Sequence, residues 1–111
     1  MIETTVDLTA LTAEFKQAMQ TLYGDRLLKV ILYGSYARGD FHEESDVDFL
    51  IVLRGEKLSK MREMDTYYPT RSALSKKYGI DISVTPVEEK RFIEKSDFLF
   101  FRNVAKDGIL L

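Results

Sequence analysis

The decisive stretch of this chain is residues 32–53, LYGSYARGDFHEESDVDFLIVL. It holds a Gly34-Ser35 pair and, after ten further residues, an Asp-x-Asp motif made by Asp46 and Asp48. An apolar run rich in strand formers precedes the Gly-Ser pair, and a second apolar run starts at the Asp-x-Asp motif. We therefore predict two neighbouring strands with a polar turn between them, so that both motifs lie at strand ends.

The first predicted strand covers residues 27–33, and the second runs from the Asp-x-Asp motif to about Leu53. Gly34 stops the first strand, and a glycine there lets the backbone approach a ligand closely. Ser35 can open a short helix through Arg38, which leaves free amide groups and a hydroxyl at its start. Since such a helix start attracts phosphate, the sequence predicts phosphate binding at the Gly-Ser pair.

The two aspartates predict a metal site. Asp46 and Asp48 share one face of the second strand because successive side chains point to opposite faces. Close carboxylates repel unless a cation lies between them, and their hard oxygen atoms suit Mg²⁺. A third acid, Asp81, lies in residues 79–84, which look like another strand. We predict that Asp81 completes the site.

The Gly-Ser pair, the Asp-x-Asp motif at this distance and the third aspartate resemble the nucleotidyltransferase superfamily typified by DNA polymerase beta. Residues 32–40 and 45–52 are more specifically similar to its minimal nucleotidyltransferase (MNT) branch, as are 81–87 and 101–108. The resemblance thus runs from about Leu27 to the C-terminus. It implies an α/β (α+β) nucleotidyltransferase fold, with a mixed β-sheet and helices packed mainly on one side.

The resemblance also implies a chemistry. Such enzymes transfer a nucleotide to an acceptor hydroxyl, and ATP is the expected donor of an AMP group. Asp46, Asp48 and Asp81 are then the catalytic residues that hold two Mg²⁺ ions, while the Gly-Ser pair grips the outer phosphates. Arg38 is the candidate cation beside the triphosphate, and a structural salt bridge is an equal alternative for it.

Small proteins of the MNT branch include MntA-like antitoxins, which neutralise a helical HEPN ribonuclease toxin by transferring AMP to one of its tyrosines. The resemblance favours this function, with a HEPN toxin as partner. Two alternatives stay open: transfer to a small hydroxyl compound, as in aminoglycoside-modifying relatives, and a non-catalytic module that inhibits a toxin by contact. The three aspartates argue against the last, because a structural module has little physical reason to cluster repelling carboxylates.

Length and charge narrow the choice of partner. The 111 residues fit a single domain, 1–111, and we expect a partner protein or a second copy to supply the acceptor-binding surface. Sixteen basic against eighteen acidic residues give a net charge of -2, which disfavours nucleic-acid binding. There is no cysteine and no long apolar segment, so we expect a cytoplasmic protein without membrane association.

Three helical regions complete the predicted frame. Residues 8–23 carry apolar side chains at helical spacing, and Asp7 can cap their start. Residues 57–77 form a second helical region that Pro69 should kink or split. A last helix near the C-terminus has two candidate caps, Ser96 and Asp97.

Several polar and aromatic residues near these motifs admit two interpretations. His42, the single histidine, is interpreted as a solvated loop residue rather than a nucleotide contact. Tyr67 and Tyr68 precede the proline of the second helix and are interpreted as packing residues. For Tyr36, beside the Gly-Ser pair, the sequence does not decide between nucleotide contact and modification.

Overall fold

The computed structural model describes residues 7–42, 45–55, 57–95 and 98–111. Strands and helices are mixed along the chain, and the first two strands lie where the apolar runs predict them. The elements in chain order are α1 (Leu8–Tyr23), a 3₁₀ turn (Gly24–Arg26), β1 (Leu27–Tyr33), α2 (Ser35–Arg38), β2 (Val47–Leu53), α3 (Lys60–Tyr78), β3 (Ile82–Glu88), α4 (Glu89–Glu94), α5 (Leu99–Asp107) and β4 (Ile109–Leu110).

The four strands form one mixed sheet in the order β3-β2-β1-β4. β1 is antiparallel to both β2 and β4, whereas β2 and β3 are parallel. Tyr33 lies opposite Asp48 in this register, and Val47 lies opposite Ile82. The end of β1, the start of β2 and the start of β3 therefore meet at one end of the sheet, and the predicted fold class is confirmed.

The larger core lies on the face of the sheet that the two long helices, α1 and α3, cover. Phe15 of α1 stacks on Phe49 of β2, with 3.8 Å between the ring centroids. The alternation predicted for β2 places its odd-numbered side chains in this core. Its buried members are Leu11, Phe15, Met19, Tyr23, Val30, Leu32, Val47, Phe49, Ile51, Leu53, Tyr67, Leu74 and Ile82.

The two short C-terminal helices cover the opposite face. Phe101 and Val104 of α5 pack there, and Phe92 of α4 lies partly buried beside them. Their buried partners in the sheet are Ile31, Leu50, Val52 and Val87. The long helices therefore lie on one side, as expected, but α4 and α5 also close the second face.

The helix starts follow local capping signals. The Asp7 carboxylate accepts a hydrogen bond from the Ala10 amide at 3.0 Å, as predicted for the cap of α1. Ser59 caps α3, so this helix begins three residues later than predicted. The two predicted caps of the last helix, Ser96 and Asp97, lie outside the described residues. Across the described ranges, no helix has the length and apolar character needed to span a bilayer.

Pro69 does not split α3, which continues from Lys60 to Tyr78. A proline inside a helix leaves the carbonyl four residues earlier without its amide partner. Here that residue is Asp65, and both Asp65 and Pro69 are exposed. Water can therefore satisfy the carbonyl, which explains why the helix tolerates the proline.

β3 begins later than predicted. The sequence placed this strand at 79–84, whereas the structure has it at Ile82–Glu88. Gly79 instead ends α3 in the left-handed conformation, with φ 65°. The chain can extend only after this glycine has closed the helix, so Asp81 lies just before the strand rather than within it.

β3 is an edge strand, and its pairing explains why it contains Pro86. The Val47 amide donates to the Asp81 carbonyl at 3.0 Å. In a parallel ladder the backbone groups of residues 83, 85 and 87 then bond to β2, while those of 82, 84 and 86 point outward. Pro86 has no amide hydrogen, and its nitrogen points away from β2, so no hydrogen bond of the sheet is lost.

Side chains of α3 donate hydrogen bonds to the outward carbonyls of this edge. Arg71 donates to the Ile82 carbonyl at 3.1 Å. Tyr67 donates to the Val84 carbonyl at 3.3 Å, and its ring is buried, as the packing interpretation predicted. Tyr68, in contrast, is half-exposed.

A buried acid joins α3 to the turn that follows α1. Glu63 is 2% exposed, and its carboxylate accepts hydrogen bonds from Arg26 Nη2 at 2.9 Å and Nη1 at 3.4 Å. The Arg26 side chain is 47% exposed, so one end of the pair reaches water. No local pattern predicts this contact, because the two residues are 37 positions apart.

Candidate active site

The Gly-Ser turn and the Asp-x-Asp motif touch at the end of the sheet. Gly34 has φ 81° and ψ -158°, a backbone conformation that is essentially restricted to glycine. A Cβ atom on Gly34 would overlap the Asp48 Oδ2 atom and lie 3.2 Å from Asp48 Cγ. Only a glycine therefore lets the backbone of this turn rest against the Asp48 carboxylate.

The short helix α2 leaves its first amides available. The amides of Ala37 and Arg38 both donate to the Gly34 carbonyl at 3.1 Å. The preceding amides, of Ser35 and Tyr36, have no acceptor within the helix. The turn can thus offer two amide donors and the Ser35 hydroxyl to a phosphate group.

Asp46 and Asp48 act on each other at the start of β2. Burial raises the pKa of Asp48, the negative charge of Asp46 raises it further, and Arg38 partly opposes the rise. Asp46 itself is exposed, and Asp48 is half-buried. A divalent cation would relieve this repulsion, and two carboxylates are hard oxygen donors of the kind Mg²⁺ prefers. The pair therefore fits a magnesium ion.

Asp81 lies beside Asp46 rather than beside both members of the pair. Its carbonyl bonds to the Val47 amide, and the parallel register continues to Asp46 opposite Asp81. Both acids line a polar groove of about 570 Å³ at the C-terminal end of α3. Within the described parts of the chain, no three acidic, histidine or cysteine side chains are grouped closely enough to hold a metal ion. The structure does not gather the three predicted ligands into one cluster.

Arg38 has an ion-pair partner on the surface. Its Nε donates to Asp40 Oδ2 at 3.1 Å, and both side chains are exposed. Its positive charge nevertheless lowers the pKa of Asp48, so the guanidinium acts on the carboxylate pair as well. Each of the two predicted roles of Arg38 thus has an observation behind it.

Tyr33 is a residue of this site that the sequence pattern does not reveal. Its hydroxyl shares a hydrogen bond with Thr85 Oγ1 at 3.1 Å. Burial raises the pKa of Tyr33, the hydrogen bond to Thr85 lowers it, and the charge of Asp48 raises it again. The phenol therefore lies close to the carboxylate pair, on the face of the sheet that α5 covers.

The loop between the two motifs is held by an aromatic stack. The rings of Tyr36 and Phe41 lie parallel, with 4.2 Å between their centroids. Tyr36 also packs against the larger core, which gives it a structural contact. His42 is exposed, as interpreted from the sequence, and its amide donates to Ser45 Oγ at 2.9 Å.

Known proteins match this chain over nearly its whole length. A family model described as the nucleotidyltransferase domain matches residues 12–110. The Methanocaldococcus jannaschii protein named "Putative protein adenylyltransferase MJ0604" is 40% identical over 98 residues, which span 88% of this chain and 91% of that protein. A second protein of the same organism, "Putative protein adenylyltransferase MJ0141", is 38% identical over 104 residues, spanning 94% and 98%.

Two solved structures have a similar fold. A crystal structure of a mutant of the toxin-antitoxin MntA-HpeT aligns with a TM-score of 0.59 and 13% identity, over 87% of this chain and 69% of that chain. A crystal structure of a toxin-antitoxin with AMP-PNP aligns with a TM-score of 0.59 and 15% identity, over the same shares. At these identities the likeness shows the fold alone.

Proposed function

The chain belongs to the nucleotidyltransferase domain family, and from this premise we propose that it moves AMP from ATP to a tyrosine hydroxyl of a HEPN-type toxin. The contact between Gly34 and Asp48 carries the proposal, because it joins a phosphate-binding turn to a carboxylate pair. A protein acceptor is supported by the names of the two relatives. A toxin partner and an adenine nucleotide are supported by the two similar structures.

The donors at the turn would hold the phosphate groups of ATP. The amides of Ser35 and Tyr36 bind the outer phosphates, and Arg38 adds positive charge beside them. Asp46 and Asp48 would hold Mg²⁺, and in the two-ion arrangement that we propose Asp81 would hold one of the ions. Magnesium, when bound, neutralises charge on the phosphate oxygens. The main contribution of the chain is alignment of the reacting groups.

The transfer step is a displacement at phosphorus. Asp81 is exposed beside Asp46, and it accepts the proton of the acceptor hydroxyl as a general base. The hydroxyl oxygen bonds to the α-phosphorus, while the bond from that phosphorus to the oxygen bridging to the β-phosphate breaks. Pyrophosphate leaves, and the acceptor keeps the AMP group. ATP as donor is consistent with a cytoplasmic reaction.

Intact-mass analysis tests this proposal. A candidate HEPN-type partner is incubated with the protein, ATP and Mg²⁺, with a variant that combines Asp46→Asn and Asp48→Asn as the control. We expect an AMP-sized mass gain on the partner that requires both aspartates. Transfer that persists in the double variant would show that the carboxylate pair is not the active site.

Inhibition by contact alone is the second candidate function. It is favoured by the position of Asp81, which is not gathered with Asp48 into a three-acid cluster in the described residues. A partner that shows no mass gain, yet forms a tight and inhibited complex with the protein, would support this function instead. The same assay therefore separates the two candidates.

A further inference from the structure

A groove on the face of the sheet that α5 covers has no role in the proposed transfer step. It lies between β3 and α5, has a volume of about 340 Å³, and is lined by Thr85, Val87, Phe98 and Phe100 among others. We refer to it as the β3–α5 groove. Its volume and aromatic walls suit one or two apolar side chains of a ligand.

Tyr33 lies between the groove and the candidate active site. Thr85, in the wall of the groove, shares its hydrogen bond with the Tyr33 hydroxyl, 3.1 Å away. The Phe100 ring meets the Tyr33 ring edge-on, with 5.4 Å between centroids. Tyr33 in turn lies opposite Asp48 in the sheet. A chain segment lying in the groove would therefore have its end close to the reacting groups.

The rim of the groove is apolar and accessible. Phe98 and Phe100, at the start of α5, are half-exposed, and their neighbour Leu99 is 71% exposed. Exposed apolar residues grouped in this way mark protein interaction sites, and aromatic residues are frequent anchors in them.

The charges at the groove favour an acidic ligand. Among the described residues, Lys60 and Arg91 lie in its lining, against a single acid, Glu88. The described lining thus has a net positive charge, although the whole chain has a net charge of -2. Opposite charge on a partner improves both the rate and the specificity of docking.

We propose that the β3–α5 groove binds the segment of the partner protein that carries the acceptor hydroxyl, and that this segment holds aromatic or apolar residues flanked by carboxylates. The proposal rests on the proposed function, because it assigns the acceptor side of the same site. In this arrangement Phe98, Phe100 and Arg91 contact the partner segment and select which acceptor is bound. The nucleotide, in contrast, is bound at the Gly-Ser turn.

A labelled peptide tests the groove without requiring transfer. The probe is a fluorescein-labelled peptide, Glu-Phe-Tyr-Leu-Glu, and its binding is followed by fluorescence anisotropy. We expect saturable binding that weakens about tenfold in Phe98→Ala and in Arg91→Glu, the loss typical of an interface anchor. Arg91→Glu changes only an exposed charge, so its effect does not depend on refolding of the core.

Matched controls come from the groove at the other edge of the sheet, which Lys16 and Leu110 line. Lys16→Glu and Leu110→Ala make the same kinds of change there, and they should leave the anisotropy curve unchanged. The inference is overturned if the peptide does not bind, or if the control variants weaken binding as much as the groove variants.

Incubation of the bound peptide with ATP and Mg²⁺ then separates the two proposals. Binding without an AMP-sized mass gain contradicts the proposed transfer to tyrosine and leaves the docking surface standing. A mass gain with a KM that is equal in the parent and both groove variants supports the transfer and overturns the docking surface.

Discussion

Replacement of Gly34 by alanine tests the central contact of the site. The backbone at Gly34 has φ 81° and ψ -158°, and an alanine forced into that region costs about 1–3 kcal/mol. The new Cβ would also overlap Asp48 Oδ2, so the carboxylate has to shift by about 1 Å to regain van der Waals separation. A misplacement of that size near a reacting centre can cost about 100-fold in rate.

Gly39 supplies the matched control. Its φ of 84° and ψ of 9° also disfavour alanine, at about 1–2 kcal/mol, but no atom lies within 4 Å of the position that a Cβ would take. Gly34→Ala and Gly39→Ala should therefore both lower the free energy of unfolding by a few kcal/mol at most, whereas only Gly34→Ala should lose about 100-fold in AMP transfer.

The assay combines urea unfolding, followed by circular dichroism, with the mass-based transfer assay. Because small domains are stable by about 5–15 kcal/mol, we expect both variants to remain folded. The reasoning would be refuted by a Gly34→Ala variant that transfers AMP at the rate of Gly39→Ala, since the carboxylate position would then be irrelevant.

Four further substitutions change the free energy of unfolding in directions that follow from the structure. Burial and the charge of Asp46 raise the pKa of Asp48, so the metal-free fold loses stability as the pH rises through that pKa. Asp48→Asn should therefore stabilise the metal-free protein at pH 7 and abolish transfer. Equal unfolding midpoints for this variant and the parent protein would contradict the prediction. Arg26→Ala leaves the buried Glu63 carboxylate unpaired and should lower the unfolding free energy, measured by chemical denaturation, by about 3 kcal/mol. Glu63→Gln leaves a half-exposed guanidinium that water can reach, so it should lower the unfolding free energy by about 1–2 kcal/mol. Asp7→Ala removes the cap of α1 and should lower the unfolding free energy by about 1 kcal/mol, with no change in transfer.

The parts of the fold that the sequence predicted are those with local causes. β1 and β2 are short apolar runs bounded by glycine and aspartate, and the observed strands have nearly the predicted bounds. The contact of Gly34 with Asp48 follows from the antiparallel pairing of these two neighbouring strands. Both strands and their contact lie within residues 27–53, so the residue types and their spacing in this stretch were enough to predict them.

The parts that could not be predicted depend on distant partners. Apolar and polar residues alternate in the same way before and after the true start of β3, from Ile80 to Val84, so the pattern does not mark that start. The closure of α3 by Gly79 decides where the strand begins. Tyr33 joins the site because Thr85, 52 positions away, meets it across the sheet. Glu63 looks like an ordinary helix-surface acid in the sequence, and its carboxylate can be buried because Arg26 pairs with it.

The occupied outer edge of β3 affects how the protein behaves at high concentration. An open sheet edge is a template on which other chains add as strands, and this leads to aggregation. Here Arg71 and Tyr67 already bond to the outward carbonyls of Ile82 and Val84, and Pro86 offers no hydrogen to a third chain. Fewer backbone groups of this edge are thus open to an added strand, so fibril growth from it is disfavoured.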